Sequence, residues 1–224
     1  MEETLIPAAT VVLGRDGVDG LEVLMLKRNS KIAFGGAWVF PGGRVDDDDT
    51  GDDDISRARS AAVREAAEET GLDIASQRME PWSYWVPPPL KSMVVEGKIR
   101  RFSTWFFVGH APPDEVRIDM GEIHDHKWLA PGAALELHRA GEIELIPPTW
   151  ITLFQLSRFD TIDHALDGRV ESDPPRFITV PIPGNPVLLV WEGDVAYRDK
   201  TKLHDPGGRN RLVMADGNWA YERR

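Results

Sequence analysis

The chain has 224 residues, 42% of them hydrophobic and 28% charged, which is typical of one large domain or one domain with a long appendage. There are 37 aspartates and glutamates against 26 lysines and arginines, giving a formal charge of -11. So acidic a surface repels a phosphate backbone and disfavours nucleic-acid binding. A small anionic ligand would need a metal ion or placed basic groups. Cysteine is absent, which excludes disulfides, a thiol nucleophile and thiolate metal sites.

The sequence pattern gives no sign of export or membrane insertion. The first residues, Met1 to Thr4, are acidic and lead into no secretory signal. The longest apolar runs, such as Val187 to Trp191, are too short to cross a bilayer. We therefore expect a soluble cytoplasmic protein with no membrane partner.

The first part of the chain alternates strand and turn signals before a helix. Apolar segments at Leu5–Leu13 and Leu21–Leu26 predict two paired strands around a Gly- and Asp-rich turn at residues 14–20. A third short strand is expected at Trp38–Phe40, followed by a solvated aspartate-rich loop from Asp46 to Asp54. A helix is predicted over Ile55–Thr70, with Asp54 as its N-cap and Gly71 as its left-handed stop.

The second part of the chain reads as shorter elements. Strands are expected in a proline-broken segment and two later ones, at Trp82–Val95, Phe102–Val108 and Lys127–Leu129; helices are expected at Ala133–Ala140 and after Pro148. Beyond Phe159 the pattern loosens, with strand candidates at Phe177–Val180 and Val187–Trp191. We predict one domain over residues 1–158 and a C-terminal extension of unknown role over residues 159–224, packed on the same domain.

The predicted helix carries the most informative residues of the chain. At about 100° per residue, Glu65, Glu68 and Glu69 share one sector. Like charges at this spacing cost only about 0.2–0.5 kcal/mol per pair, so a solvated acidic face explains them as well as a site does. A hard divalent cation needs several close oxygen ligands, which this turn supplies, and magnesium also bridges to substrate phosphates.

This helix and the residues before it resemble the signature of the Nudix hydrolases. That signature runs Gly, five residues, Glu, seven residues, then Arg-Glu-apolar-any-Glu-Glu-any-Gly-apolar. The second half is complete here, as Arg64, Glu65, Ala66, Glu68, Glu69, Gly71 and Leu72. The approach Phe40-Pro41-Gly42-Gly43, with Trp38 before it, is also similar.

The first half of the signature departs from the family pattern. Counting five intervening residues from Gly43, the glutamate position holds Asp49, and fourteen residues rather than seven then separate it from Arg64. Counting back from Arg64, the slot holds Ser56 instead. The loop therefore contains an insertion, and the sequence does not assign the residue that steadies it.

The resemblance implies a fold, a reaction and roles for several residues. The fold would be α+β, a mixed sheet between helices in an α/β/α sandwich over about Leu5–Leu156. The reaction would be hydrolysis of a phosphoanhydride in a nucleoside diphosphate linked to another moiety. Glu65, Glu68 and Glu69 would hold Mg²⁺ or Mn²⁺, one of them also accepting a proton from water, while Arg64 would orient a carboxylate.

Residues outside the helix are further candidates. An acidic residue on a loop outside the signature completes the set in many Nudix proteins, which makes Glu122 or Asp125 candidates against the alternative of a polar loop. Arg28 is a possible phosphate partner or an ordinary strand-end charge, and Gly42 and Gly43 are predicted binding residues. A calcium loop starting at Asp46 is excluded because its twelfth position is Arg57.

Other segments are similar to the coenzyme A diphosphatase branch of the family. They are residues 34–43, the acidic insertion, residues 100–107 and residues 147–149. The predicted substrate is coenzyme A or an acyl ester of it. ADP-ribose, NADH or a dinucleoside polyphosphate are alternatives, as is a catalytically silent nucleotide-binding module. A homodimer is also possible.

Overall fold

A long antiparallel hairpin opens the chain. The computed structural model describes residues 3–29, 36–89, 94–95, 98–170 and 173–224. Strand β1 (Glu3–Gly17) pairs with β2 (Gly20–Arg28), as predicted, but the turn contains only Val18 and Asp19. The predicted turn was too long because its glycines serve packing. A Cβ at Gly14 would lie only 2.6 Å from Cδ1 of Ile162.

The remaining strands are short except for β5, β7 and β8. Their bounds are β3 (Trp38–Val39), β4 (Gly42–Arg44), β5 (Met79–Val86), β6 (Val94–Val95), β7 (Lys98–His110), β8 (Ile123–Leu129), β9 (Arg176–Ile178), β10 (Val180–Ile182), β11 (Val187–Val190), β12 (Asn210–Ala215) and β13 (Asn218–Arg223). A mixed sheet runs in the order β3-β2-β1-β7-β5-β9, with β4 paired to β1, β8 to β2 and β6 to β7. The β5–β9 pair is parallel, whereas β2 pairs antiparallel with β1, β3 and β8.

The chain divides into two units, each with its own core. The first, here called the helical unit, contains the described residues of 7–83 and 104–175. The second, here called the C-terminal unit, contains the described residues of 1–6, 84–103 and 176–224. The domain boundary expected at residue 158 remains a prediction.

The helical unit holds four α-helices among the described residues, α1 (Asp54–Thr70), α2 (Pro131–Arg139), α3 (Pro147–Leu156) and α4 (Ile162–Val170). Within its sheet, consecutive residues Val11–Leu13 and Val23–Leu26 are all fully buried. Burial of neighbouring residues on a strand means that both faces of the sheet are covered, as in a sheet between helices. None of the helices in the described part of the chain is long and apolar enough to cross a membrane.

Helix α1 begins and ends on specific caps. Its N-cap is Asp53 rather than the predicted Asp54, because the Asp53 carboxylate accepts a hydrogen bond from the Ser56 amide at 2.7 Å in a capping box. Gly71 is the C-cap, with φ of 71°. The inner face of α1 is lined by the buried alanines Ala58, Ala62 and Ala66, whose small side chains let the helix approach the sheet closely.

Helix α4 has no counterpart among the predicted elements. Its apolar residues Ile162, Ala165 and Leu166 are buried. Two ion pairs attach its outer face to strand and loop residues, Asp163 to His110 at 2.9 Å and Asp167 to Arg78 at 2.8 Å. A nine-residue helix containing a glycine carries too weak a periodic signal to be recognised alone.

The C-terminal unit contains a four-stranded sheet in the order β10-β11-β12-β13. The two predicted strands correspond to β9 and β11, while β12 and β13 were not predicted. Trp85 stacks on Phe177 with ring centroids 4.0 Å apart, and Trp191 meets both rings edge-on. Asp194 and Arg211 form a buried two-bond ion pair at 2.7 Å. This unit therefore has an aromatic core and an internal charge pair of its own.

Candidate active site

The last two turns of α1 hold the three predicted glutamates in different environments. Glu69 is only 6% exposed, and its Oε2 accepts a hydrogen bond from the Gly42 amide at 2.9 Å. Glu65 is half-buried, whereas the side chain of Glu68 is 59% exposed. The three glutamates that share one sector of the helix therefore differ in exposure, from the buried Glu69 to the largely exposed Glu68.

Burial makes Glu69 an unusually weak acid for a carboxyl group. Loss of solvent raises its pKa from 4.5 to about 7, although the Gly42 amide and Arg28 act in the opposite direction. The negative charges of Glu65 and Glu122 raise it further. Glu69 is therefore a group that exchanges a proton near neutral pH in the metal-free protein.

Glu65 lies against the backbone of β4. Burial raises its pKa, Arg64 partly offsets that rise, and Glu68 and Glu122 reinforce it. A Cβ at Gly43 would overlap the Glu65 carboxylate, so this close approach requires a glycine. The predicted binding residues Gly42 and Gly43 thus contact the two buried carboxylates of the helix.

Glu122 reaches the same region from a loop that is bound to α1. The amides of Arg117 and Asp119 donate to the carbonyls of Thr70 and Glu69, at 2.8 and 3.1 Å. These bonds satisfy carbonyls at the helix end that have no partner within the helix. The Glu122 side chain is 59% exposed, and its charge influences both Glu65 and Glu69.

Arg28 lies at the end of β2 beside these carboxylates. Its guanidinium is 3.9 Å from the Glu122 carboxylate, and its positive charge acts on Glu69. Its Nε is buried and has no hydrogen-bond partner within the described part of the chain. The structure therefore brings Arg28, Glu65, Glu69 and Glu122 into one electrostatically connected group.

Arg64 connects the helix to the loop before it. Its guanidinium donates to Asp49 through two bonds, at 3.2 and 3.0 Å. It also donates to Glu65 at 2.9 Å, to Glu68 at 3.2 Å and to the carbonyl of Arg44 at 2.9 Å. Arg64 therefore contacts carboxylates as the resemblance implies, and Asp49 is the partner that it binds through two parallel bonds.

Asp49 corrects the view of the aspartate run as a solvated loop. Asp46, Asp47 and Asp48 are exposed, but Asp49 is only 6% exposed. Burial alone would raise its pKa, yet the bonds from Arg64 and the Asp46 amide lower it below its ordinary value. Asp49 stands six positions after Gly43, where the family's signature has its glutamate, and the additional residues of the loop follow it.

The donors of this group suit a hard divalent cation. The carboxylates of Glu65, Glu69 and Glu122 offer oxygen, the preferred ligand of Mg²⁺, and a cation would stabilise the charged forms of Glu65 and Glu69, which burial and neighbouring negative charges disfavour. As they stand, no three Asp, Glu or His side chains of the described residues form a ready metal site. Glu68 and Glu122 are the more exposed candidates to complete one, since 59% of each side chain is exposed.

Asp125 and its neighbours lie on a strand. Asp125 belongs to β8, in register with Lys27, and its carboxylate accepts a hydrogen bond from the His126 amide at 2.8 Å. Asp125 therefore lies on a strand and not on the polar loop weighed as the alternative, whereas Glu122 does lie on a loop. The strand extends four residues further toward Glu122 than its apolar residues indicated.

Comparison with known proteins identifies the family. The NUDIX domain model matches residues 4–148, which is more than half of the chain. The chain therefore belongs to the Nudix hydrolase family, and the resemblance found at residues 64–72 is confirmed.

One curated relative is similar in sequence. It is the acyl-coenzyme A diphosphatase NUDT19 of Xenopus laevis, which is 34% identical over 163 residues, covering 62% of this chain and 42% of that protein. The chain thus spans less than half the length of this relative. The relative carries the name of the branch that the sequence resembles.

Solved structures share the fold. A NUDIX hydrolase from Alicyclobacillus acidocaldarius superposes with a TM-score of 0.64 at 23% identity, covering 75% of this chain and 97% of that one. The dihydroneopterin triphosphate pyrophosphohydrolase of E. coli gives a TM-score of 0.51 at 19% identity, with 70% and 99% coverage. The predicted α/β/α sandwich is therefore confirmed.

The raised pKa of Glu69 predicts how the metal-free protein responds to pH. Because folding favours protonated Glu69, the free energy of unfolding falls as pH rises from 4.5 toward about 7. Glu69→Gln is neutral throughout, so we expect it to raise that free energy by up to about 3 kcal/mol above pH 7. Urea denaturation in EDTA at acid and alkaline pH measures the effect. Glu136→Gln, which changes an exposed glutamate on α2, is the control; a Glu69→Gln profile identical to wild type contradicts the prediction.

The Asp49–Arg64 pair predicts unequal effects of two neighbouring substitutions. Asp49→Asn removes the charge that two guanidinium bonds require, and we expect it to lower the free energy of unfolding by about 1–3 kcal/mol. Asp48→Asn changes an exposed neighbour and should stay within about 0.5 kcal/mol of wild type. Denaturant titration compares them, and equal midpoints would show that Asp49 is not held as described.

Proposed function

We propose that this protein hydrolyses a phosphoanhydride bond in a nucleoside diphosphate linked to another moiety, using Mg²⁺ or Mn²⁺. The observation that carries the proposal is the convergence of Glu65, Glu69 and Glu122 beside Arg28. Burial raises the pKa values of Glu65 and Glu69, and the charges of the neighbouring carboxylates add to the rise. Groups with such perturbed acidity cluster at functional sites.

Glu65, Glu68 and Glu69 are the residues that would hold the metal. A bound divalent ion supplies a water of lowered pKa and neutralises charge on the diphosphate oxygens. Arg64 keeps Glu65 and Glu68 in place on one side, while the Gly42 amide keeps Glu69 in place on the other. Glu122 completes the set from outside the helix, and its exposed carboxylate is free to reorient.

Arg28 is proposed to contact a substrate phosphate. Its Nε is buried without a hydrogen-bond partner among the described residues, and such a group is costly unless a ligand satisfies it. A phosphate oxygen would form a charge-assisted bond there. Water attack at phosphorus then breaks the bridging P–O bond and leaves two phosphate monoesters.

Coenzyme A or an acyl-coenzyme A is the substrate that we propose within this class. The support is the 34% identity to a protein named as an acyl-coenzyme A diphosphatase, together with the branch-like segments of the sequence.

The strongest support for a catalytically silent module was the altered first half of the signature. The Asp49–Arg64 pair weakens that interpretation, because the residue at the glutamate position has a carboxylate that binds Arg64 through two hydrogen bonds. A cytoplasmic location, a homodimer and the absence of nucleic-acid and membrane partners remain predictions.

A substitution at Glu68 tests the metal-holding role. Glu68→Gln should leave the melting temperature nearly unchanged because the side chain is 59% exposed, yet lower turnover by roughly 10²–10⁴-fold. Glu136→Gln is the matched control, since Glu136 is also an exposed helical glutamate beside an arginine three residues on. Steady-state hydrolysis measures both variants. Equal turnover in wild type and Glu68→Gln would remove Glu68 from the site.

A substrate panel tests the chemical class. Purified protein with Mn²⁺ is incubated with coenzyme A, an acyl-coenzyme A, ADP-ribose, NADH and a dinucleoside polyphosphate, and products are separated by chromatography. We expect the coenzyme A compounds to give the highest kcat/KM. Faster cleavage of ADP-ribose would contradict the substrate, whereas nucleotide binding by calorimetry without any product would support the silent module.

A further inference from the structure

The segment between Asp49 and Arg64 is bound to α1, and its residue Arg57 lies in the first turn of that helix. Fourteen residues separate Asp49 from Arg64, and they include the first turns of α1. The chain returns to the helix where the Thr50 amide donates to the Ser60 hydroxyl at 3.3 Å. The start of the insertion therefore lies against the helix, and Arg57 of the helix faces the loop that precedes the insertion.

Arg57 holds the turn that presents Asp49. Its Nε donates to the carbonyl of Asp49 at 3.2 Å, and its Nη2 donates to the carbonyl of Asp46 at 3.1 Å. The same turn is closed from inside, because the Asp49 carboxylate accepts from the Asp46 amide at 2.8 Å. One guanidinium thus fixes both ends of a four-residue turn.

The turn directs the Asp49 side chain at Arg64. With its backbone carbonyls engaged by Arg57, the Asp49 carboxylate is left to bind the Arg64 guanidinium through two bonds. Arg64 in turn binds Glu65 and Glu68. A continuous chain of hydrogen bonds therefore leads from the insertion to two of the carboxylates.

We infer that Arg57 is a positioning residue for the carboxylate site. It acts through Asp49 and Arg64 to orient Glu65 and Glu68, and it compensates for the lengthened loop. This inference rests on the proposed function, because the orientation matters only if these carboxylates hold a cation. A purely structural role would instead lower stability and leave cation affinity unchanged.

The test compares two arginines on the same helix. Arg59 also donates to a backbone carbonyl, that of Met79 at 2.7 Å, but Met79 lies outside the turn. Arg57→Ala, Arg57→Lys and Arg59→Ala are compared with wild type in the full chain. Electron paramagnetic resonance measures Mn²⁺ affinity, hydrogen–deuterium exchange measures protection of the segment containing residues 44–50, and thermal melting measures stability.

We expect both Arg57 variants to weaken Mn²⁺ binding by about tenfold, the lower end for partners of metal-binding side chains, and to lose protection at residues 44–50. Arg59→Ala should lose stability while keeping wild-type Mn²⁺ affinity. If Arg57→Ala does not fold, Arg57→Lys, which keeps the charge and most of the stem, carries the comparison. Wild-type affinity in the Arg57 variants overturns this inference alone. Failure of the wild type to bind Mn²⁺ overturns the proposed function and the inference with it.

Discussion

Charge compensation around one turn of α1 is the constraint on which the site depends. An acidic protein places three glutamates within five residues and adds Glu122 from a nearby loop. Two arginine side chains each interact with some of these carboxylates. Arg64 binds the outer carboxylates Glu65 and Glu68, whereas Arg28 acts on the buried Glu69. Neither cation neutralises the group completely, so the remaining negative charge is available to attract a divalent ion.

Close approach of helix and sheet is the second requirement, and small residues meet it. Alanines cover the inner face of α1, and Gly43 leaves room for the Glu65 carboxylate where a side chain would stand. The Gly42 amide can donate to Glu69 only because the helix comes this near. Packing and chemistry therefore select the same residue types here, which explains why a signature of glycines and glutamates is so informative.

Local patterns predicted the features that local interactions decide. The hairpin, the helix and its glycine stop depend on residues close together in the chain, and they were predicted to within a few residues. Asp49 could not be distinguished from its neighbours, because Arg64, fifteen positions away, decides which aspartate is buried. Helix α4 was missed for a similar reason, since its ion pairs to His110 and Arg78 come from distant strand and loop residues. The sequence alone could group the three glutamates as candidates because they lie on one helix, whereas the sheet and the loop place Arg28 and Glu122 near them in the structure.

The loop that carries Glu122 is bonded to the last carbonyls of the helix that carries Glu65 and Glu69. A small axial slide or tilt of α1 would therefore carry the loop with it. The spacing between on-helix and off-helix carboxylates is preserved through such motion, while their distance from the strand-borne Arg28 changes. The helix and loop carboxylates are therefore joined through backbone hydrogen bonds, whereas strand β2 places Arg28 independently of them.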